Sequence, residues 1–439
     1  MLKSLRKALS IEDIRKRLLY TFAMLIVVRL GSQLPTPGVD PTFIQNFFAQ
    51  QTGDAFNFFE AFTGGSFTRI SVFALSITPY ITSSIIMQLL AIAIPNLKKI
   101  KKEGEDGRKK IAAITRYVTI ALALIESIAM SVGFGRSGLI KGYQGFSTLH
   151  YIVSIIVVVA ALTAGSAMLM WLGERITENG VGNGISIVLL INIISGMPSD
   201  FATLYSTFVA PRTIAKGVLA AAIIIAILVV MVVLVCFLQD GERRIPVQYS
   251  QKVSGRKSFG GQSTNIPLKV NTAGVMPVIF ASSLMQFPVI IAQLFGKSYE
   301  WTRYLSSSYW CRVSAPKYSL GLILYIVLLI IFAYFYTSIT FNPIEVADNL
   351  KKAGGVIPGI TPGKSTSDYL NNILNYIVFV GAVGLLIVAL IPIMCTGFFN
   401  ASVSFGGTSV IIIVGVVLET LKQIESQMVN RYYKGFLSE

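Results

Sequence analysis

The decapeptide pattern Pro-x-Ile-x-x-Ser-x-x-Met-Gln occurs twice in this chain, from Pro79 to Gln88 and from Pro277 to Gln286, at a constant offset (277 − 79 = 198; 286 − 88 = 198). Both copies lie inside long apolar stretches, where a proline followed by small polar residues is unusual. The pattern points to a duplicated membrane protein in which each half contributes one special helix. The stretches themselves leave little room for another fold. Of 439 residues, 53% are hydrophobic and 13% charged, too few polar groups to solvate a water-facing surface of this size. About ten segments approach the roughly 20 residues a spanning helix needs. They lie near 19–34, 71–94, 111–134, 149–172, 183–199, 214–238, 271–294, 318–340, 373–393 and 404–424. The first lacks a small-x-small cleavage site and carries Arg29, so it reads as a span and not as a signal peptide.

Five spans per half has a geometric consequence. An odd number starts the second half (213–439) on the opposite side of the membrane from the first (1–212), so the halves form an inverted repeat. Spans two and seven then correspond, and proline-interrupted spans in matching positions point to a transport path. The formal charge of +16 concentrates in alternate loops: the N-terminus, the loop after span two, and the loop after span six. The positive-inside rule puts both termini in the cytoplasm, as an even number of spans requires. The 295–317 loop departs from this bias, keeping Lys297, Arg303, Arg312 and Lys317.

The segment 35–70 is too short in apolar residues to cross. It holds Pro35, Pro37 and Pro41, the aromatic run Phe56-Asn57-Phe58-Phe59-Glu60-Ala61-Phe62, and then Gly64 and Gly65. Both a re-entrant helix and an amphipathic helix on the outer leaflet fit. The loops 239–270 and 341–371 are long, cytoplasmic and rich in Gly and Pro, the character of loops that dock a partner.

Catalytic and cofactor chemistry finds no foothold. Pro358-Gly359-Ile360-Thr361-Pro362-Gly363-Lys364-Ser365 imitates a phosphate-binding loop but has Pro where the first Gly is needed, and no preceding strand. Gly180-Val181-Gly182-Asn183-Gly184 ends in Ile185 where a dinucleotide fingerprint needs Gly. Cys236, Cys311 and Cys395 have no metal or disulfide spacing, and His150 stands alone. A secondary transporter of the same symmetry would need several buried carboxylates or an ion site. An intramembrane enzyme would need a catalytic pair. Span three offers Glu126, whose burial near a bilayer centre costs about 2.5–3.5 kcal/mol on insertion scales. Thr82 and Asn271 are its candidate partners, and snorkelling to an interface is the alternative. Ile77 and Ile81, Leu189 and Ile193 are pairs four apart, each on one helix face. Ile279 is the repeat partner of Ile81 (279 − 81 = 198). Such residues either line a hydrophobic constriction or face lipid and neighbouring helices.

Several longer motifs carry a resemblance. Phe73-Ala74-Leu75-Ser76-Ile77-Thr78-Pro79-Tyr80-Ile81, Lys101-Lys102-Glu103-Gly104-Glu105, Ile176-Thr177-Glu178-Asn179-Gly180-Val181-Gly182-Asn183-Gly184, Pro267-Leu268-Lys269-Val270-Asn271-Thr272-Ala273-Gly274-Val275 and Gly406-Gly407-Thr408-Ser409 resemble, in order, the SecY family of bacterial protein-translocation channels. The resemblance covers essentially the whole chain. It implies an all-α polytopic clamshell of two inverted five-helix halves around an hourglass pore. Six aliphatics ring the waist, falling on Ile77, Ile81, Leu189, Ile193, Ile279 and Ile412. A plug falls on Phe56, Asn57, Phe58, Phe59, Ala61, Phe62, Gly64 and Gly65. A lateral gate between spans two and three and spans seven and eight carries Thr82, Glu126 and Asn271. Loops 239–270 and 341–371 would dock the ribosome, through its RNA and protein, or the SecA motor ATPase, with Arg243, Arg244, Lys252, Arg256, Lys257, Lys351 and Lys352 as contacts. The implied partners also include the small membrane subunits SecE and SecG, signal sequences, nascent chains and lipid. The implied location is the plasma membrane, with no cofactor and no enzymatic activity. Thr361 departs from the family, which usually has Arg between the two Pro-Gly units.

Overall fold

A computed structural model of the chain describes residues 9–40, 63–134, 148–211, 214–249, 253–254, 257–258, 263–294, 300–306, 309–312, 316–399 and 407–435. In chain order the helices are α1 (Glu12–Gly31), α2 (Thr78–Ala93), α3 (Pro95–Lys102), α4 (Glu105–Phe134), α5 (Thr148–Asn179), α6 (Gly184–Leu204) and α7 (Ile214–Asp240). After strands β1 (Glu242–Tyr249), β2 (Val253–Ser254), β3 (Lys257–Ser258) and β4 (Ser263–Lys269) come α8 (Met276–Leu294), α9 (Glu300–Leu305), α10 (Leu320–Thr340), α11 (Pro343–Lys352), β5 (Gly355–Val356), α12 (Lys364–Phe399) and α13 (Gly407–Gly435).

Among the described residues, α4, α5, α6, α7, α12 and the run containing α10 are long and apolar enough to cross a membrane. Thr78–Ala93 and Met276–Met285 are apolar but shorter. The chain is a multi-pass membrane protein. Its outer surface agrees: on α7, Val218, Leu219, Ile225 and Phe237 are all well exposed, a poor arrangement in water and a good one in lipid.

Local signals explain the helix ends. Asn183 caps α6, its side chain accepting from the backbone N–H groups of Ile185 and Ser186. Asn342 caps α11 by accepting from Ile344, with Pro343 at the first helical position. Glu345 stands in the first turn of α11 and Lys351 and Lys352 in the last, each opposing the helix dipole.

Spans two and seven begin later than 71 and 271. Pro79 and Pro277 are each the second residue of their helix, α2 and α8. A proline fits a first turn but ends a helix that tries to run through it from upstream. Three residues before each proline the chain turns left-handed, at Ser76 (φ 53°) and Gly274 (φ 64°), again at the repeat offset (274 − 76 = 198). The linkers entering α2 and α8 also pack alike. A Cβ on Gly165 of α5 would stand 1.9 Å from the Val72 carbonyl oxygen, and one on Gly381 of α12 would stand 2.3 Å from that of Val270. Val72 and Val270 are related by the same offset (270 − 72 = 198).

Helix neighbours repeat in the same way. α2 packs on α4, α4 on α5, α5 on α6, and α1 on α5 and α6. Correspondingly, α8 packs on α10, α10 on α12, α12 on α13, and α7 on α12 and α13. Across the two sets, α6 meets α13 and α4 meets α8. One apolar cluster lies within the first set, around Ile70, Leu75, Met130 and Leu162. A second lies within the other, around Val235, Met285, Leu329 and Leu385.

The expectation of an all-α chain needs one correction. The loop 239–270 contains the antiparallel pair β1–β4, in register from Glu242↔Lys269 to Gln248↔Ser263. β5 adds to β1 at Gln248↔Val356 and Tyr249↔Gly355. Alternation is the reason: Ile245 and Val247 are buried on one face, against Leu350 of α11, Ile357 just after β5 and Leu370 of α12. Pro246 is tolerated because β5 pairs only with the last two residues of β1.

Both flush glycines are testable. Gly165→Ala and Gly381→Ala should each lower stability by about 1–3 kcal/mol through overpacking, read as a lower unfolding midpoint in detergent. Gly196→Ala, where a Cβ meets nothing within 4 Å, should leave the midpoint in place.

Candidate functional site

The aliphatic residues singled out by sequence come together where the two helix sets meet. Ile77 is the last residue before α2, and its carbonyl accepts from the backbone N–H groups of Tyr80 and Ile81, both at 3.1 Å. Leu189 and Ile193 lie on one face of α6, Ile279 in the first turn of α8, and Ile412 in α13. Five of the six are buried, none more than 8% exposed. They share one apolar cluster, with Ile81 partly buried against it. Val275, also packed on this cluster, is the repeat counterpart of Ile77 (275 − 77 = 198). The offset pointed to it, and the sequence reading passed over it.

On one side of this cluster lies a cavity of about 470 Å³. Ile81, Leu189, Ile279 and Ile412 line it, as do Gln239, Lys269, Glu419 and Lys422 at the sheet side of the bundle. The wall is polar as well as apolar. Gln239 Nε2 and Asn271 Nδ2 are buried with no partner among the described residues, and both residues line the cavity.

On the other side Gly64, from the segment between α1 and α2, lies against α1 and α6. Of the aromatic segment, Phe56, Asn57, Phe58, Phe59, Ala61 and Phe62 lie outside the described residues, while Gly64 and Gly65 lie within them. The Gly64 carbonyl accepts from Arg29 Nη1 of α1 at 3.4 Å and lies 3.3 Å from Ser195 Oγ of α6. Gly64 has φ 61°, and a Cβ there would stand 2.7 Å from the Asn192 carbonyl oxygen. Asn192 in turn donates to Ser76 Oγ at 3.2 Å, and Ser166 Oγ donates to the Ser76 carbonyl at 3.4 Å. Side chains of α5 and α6 therefore hold the left-handed residue that precedes α2.

Along the seam between the helix sets, Thr82, Glu126 and Asn271 make no hydrogen bond with one another. Thr82 Oγ1 donates to the Thr78 carbonyl of its own helix, and Glu126 is half-buried on α4, the helix that meets α8. Among the described residues, a hydrogen bond crosses the seam elsewhere. Tyr336 of α10 donates its hydroxyl to Gln88 Oε1 of α2 at 2.7 Å. Tyr336 is buried, with its ring 5.0 Å from Phe280 of α8. Gln88 closes the repeated decapeptide, so the signal was in the sequence; its partner, 248 residues away, was not. Ser83, by contrast, binds within its own set, donating to the Thr115 carbonyl at 2.8 Å and accepting from Thr119 at 3.0 Å.

A family model described as SecY matches residues 71–421. Protein translocase subunit SecY of Streptomyces coelicolor is 44% identical over 447 residues, covering 100% of this chain and 100% of that protein. The chain belongs to the SecY family. That is a family of protein-conducting channels and not of enzymes. A solved SecY whose plug domain stabilizes the closed state of its translocation channel has a TM-score of 0.62 at 19% identity, covering 94% of this chain and 92% of that one. Sec61 in the canine ribosome-channel complex has a TM-score of 0.55 at 18% identity, covering 94% and 93%. At these identities the likeness to both structures is one of fold.

In this SecY-family chain the two long loops form one platform, because β5 of the second pairs with β1 of the first. Arg243 and Arg244 are exposed on β1, and Lys351 and Lys352 are exposed at the end of α11. Arg244 is paired with Glu242 at 2.6 Å. Lys257 lies in β3, and Lys252 and Arg256 lie outside the described residues. Thr361 is exposed beside Gly359, and its carbonyl accepts from Thr366 Oγ1 at 2.9 Å.

The seam bond predicts a measurable coupling. In a double-mutant cycle, Gln88→Leu and Tyr336→Phe should show a coupling of about 0.5–1.5 kcal/mol in unfolding free energy. Additive effects would mean that the two side chains do not interact.

Proposed function

We propose that this chain is the polypeptide-conducting pore of a plasma-membrane translocase, with a hydrophobic waist formed by Ile77, Ile81, Leu189, Ile193, Ile279 and Ile412. The observation that carries this reading is the convergence of those six residues, from four separate segments, beneath a cavity of about 470 Å³. Aliphatic side chains suit the task. They offer a passing chain no hydrogen bond to linger on, and they close around it without a wet path for ions. A charged ring would conduct and would bind the substrate backbone.

In this reading ten spans form two inverted halves, 1–212 and 213–439, with both termini cytoplasmic. The matching neighbour patterns of the two helix sets support the symmetry. The concentration of Arg and Lys around the sheet supports the orientation. The segment 56–65 acts as the plug, seated at Gly64 by Arg29 and Ser195. The seam between α2 and α4 on one side and α8 and α10 on the other is the lateral gate. It admits a signal sequence and releases transmembrane helices into lipid, with Thr82, Glu126 and Asn271 as its polar residues and Gln88–Tyr336 as a closing bond. The platform bearing Arg243, Arg244, Lys252, Arg256, Lys257, Lys351 and Lys352 docks the ribosome or SecA, which supply the driving energy. Cationic contact with ribosomal RNA implies strong salt dependence. SecE and SecG complete the complex.

A photo-crosslinker at Ile279 tests the waist. It should capture a stalled translocating chain and lose that product when the chain is released. Capture of acyl chains alone, idle and engaged, would overturn the reading. The plug seat has its own test. Gly64→Ala forces the segment off α6 and should raise translocation of a precursor with a defective signal sequence, whereas Gly65→Ala, with no Cβ contact within 4 Å, should raise it less. Equal effects would place the constraint in backbone conformation alone and not in the seat.

A further inference from the structure

The stretch between α8 and α10 breaks the charge bias of the chain. Lys297, Arg303, Arg312 and Lys317 face a single carboxylate in sequence, Glu300. Position follows from connectivity. α8 leaves the sheet at its start and α10 returns towards α11 and β5 at its end, so residues 300–319 stand at the end of the bundle opposite the basic platform.

Arg303, Arg312 and Lys317 each lie against one of two aromatic rings. The guanidiniums of Arg303 and Arg312 lie 5.8 Å and 5.0 Å from the centre of the Tyr309 ring. The Lys317 ammonium lies 5.0 Å from the centre of Tyr318. The two rings meet edge to face at 5.9 Å, and Arg303 Nη1 lies 3.5 Å from the Tyr318 hydroxyl oxygen. The frame around them is tight. Trp310 Nε1 donates to the Tyr304 carbonyl at 2.8 Å, the Cys311 N–H donates to Ser319 Oγ at 3.2 Å, and a Cβ on Gly321 would stand 1.6 Å from the Tyr304 carbonyl oxygen. Aromatic faces attract cations, but they leave the positive charge in place. Glu300 reaches Lys317 only at 3.8 Å and is 78% exposed, so it offsets little. Arg312 Nε is buried with no partner among the described residues. Three cations gathered around one pair of rings, with so little compensation, make a positive patch that an anion would neutralise.

The surroundings say which anion. Leu320, Ile323 and Leu324 of α10 are exposed apolar residues directly below the cluster, and Trp301 is exposed beside it. Exposed Trp above an apolar belt marks headgroup level, and guanidinium forks match phosphate oxygens. We propose that Arg303, Arg312 and Lys317, held on the Tyr309–Tyr318 pair, bind the phosphodiester of an anionic phospholipid in the leaflet away from the basic platform. The site would anchor the α9 segment, and with it the outer ends of α8 and α10, to the lipid surface. The assignment rests on the membrane fold and not on the channel reading.

The test uses the full chain in nanodiscs, with Trp171→Phe so that emission comes from Trp301 and Trp310. Quenching by brominated phosphatidylglycerol should exceed quenching by brominated phosphatidylcholine, with a preference of roughly tenfold in apparent affinity (about 1.4 kcal/mol). Arg312→Gln combined with Lys317→Gln should abolish the preference, and Arg312→Lys should retain much of it. Arg303→Gln, an exposed position, should weaken it in a chain whose fold is least disturbed. Equal quenching by both lipids in the parent chain would overturn the proposal. So would loss of the preference on adding inorganic phosphate, which would assign the cluster to a free anion. Translocation is not read out, so this test can fail while the channel reading stands.

Discussion

A helix that breaks inside an apolar bundle releases backbone N–H and C=O groups that lipid cannot satisfy. This chain breaks two helices and must satisfy both within the protein. Ahead of α2 the partners are visible. Val72 N donates to the Leu34 carbonyl, Thr36 N to that of Ile70, and Ser76 N to that of Phe73. Asn192 and Ser166 then hold Ser76 in a conformation that an L-residue rarely adopts. Ahead of α8 a glycine takes the same conformation without help. The linkers lie against Gly165 and Gly381 because only a missing side chain lets one backbone approach another so closely.

The aliphatic cluster at the joint is a consequence of those breaks. Because α2 starts at Thr78 and α8 at Met276, Ile77, Ile81 and Ile279 fall at helix beginnings well inside the bundle. There they meet α6 and α13, a pair of equivalent helices in contact across the two sets. Each set keeps an apolar cluster of its own, and the cluster containing Ile77, Leu189, Ile279 and Ile412 spans both. Among the described residues, fewer helix pairs pack across the joint than within either set.

Polar groups collect at the seam, at the cavity wall and at the two ends of the bundle. The seam carries a partly buried tyrosine–glutamine bond, and the cavity wall carries amide groups with no partner among the described residues. Such groups weaken an apolar contact without destroying it. The charged residues divide similarly between the two ends of the bundle. At one end they ride on a three-stranded sheet that ties two loops together. At the other they crowd onto two tyrosines beside lipid-facing helices.

Much of this was legible beforehand. Apolar length determines that the chain crosses a membrane, and a repeated decapeptide with a constant offset identifies α2 and α8 as equivalents, because both signals are local and survive in one dimension. Val275 and Gln88 were also within reach of that offset. The sheet was hidden because β1 and β4 are joined through a Gly-rich stretch, and because β5 comes from a loop about a hundred residues later. The helix starts at Thr78 and Met276 were displaced by prolines whose effect depends on which side of them the helix forms. Only the tertiary structure decided that Tyr336 meets Gln88, that Arg29 and Ser195 converge on Gly64, and that Thr82, Glu126 and Asn271 do not bond to one another. Pairings between distant segments depend on how helices rotate and approach, and a pattern along the chain carries no record of that.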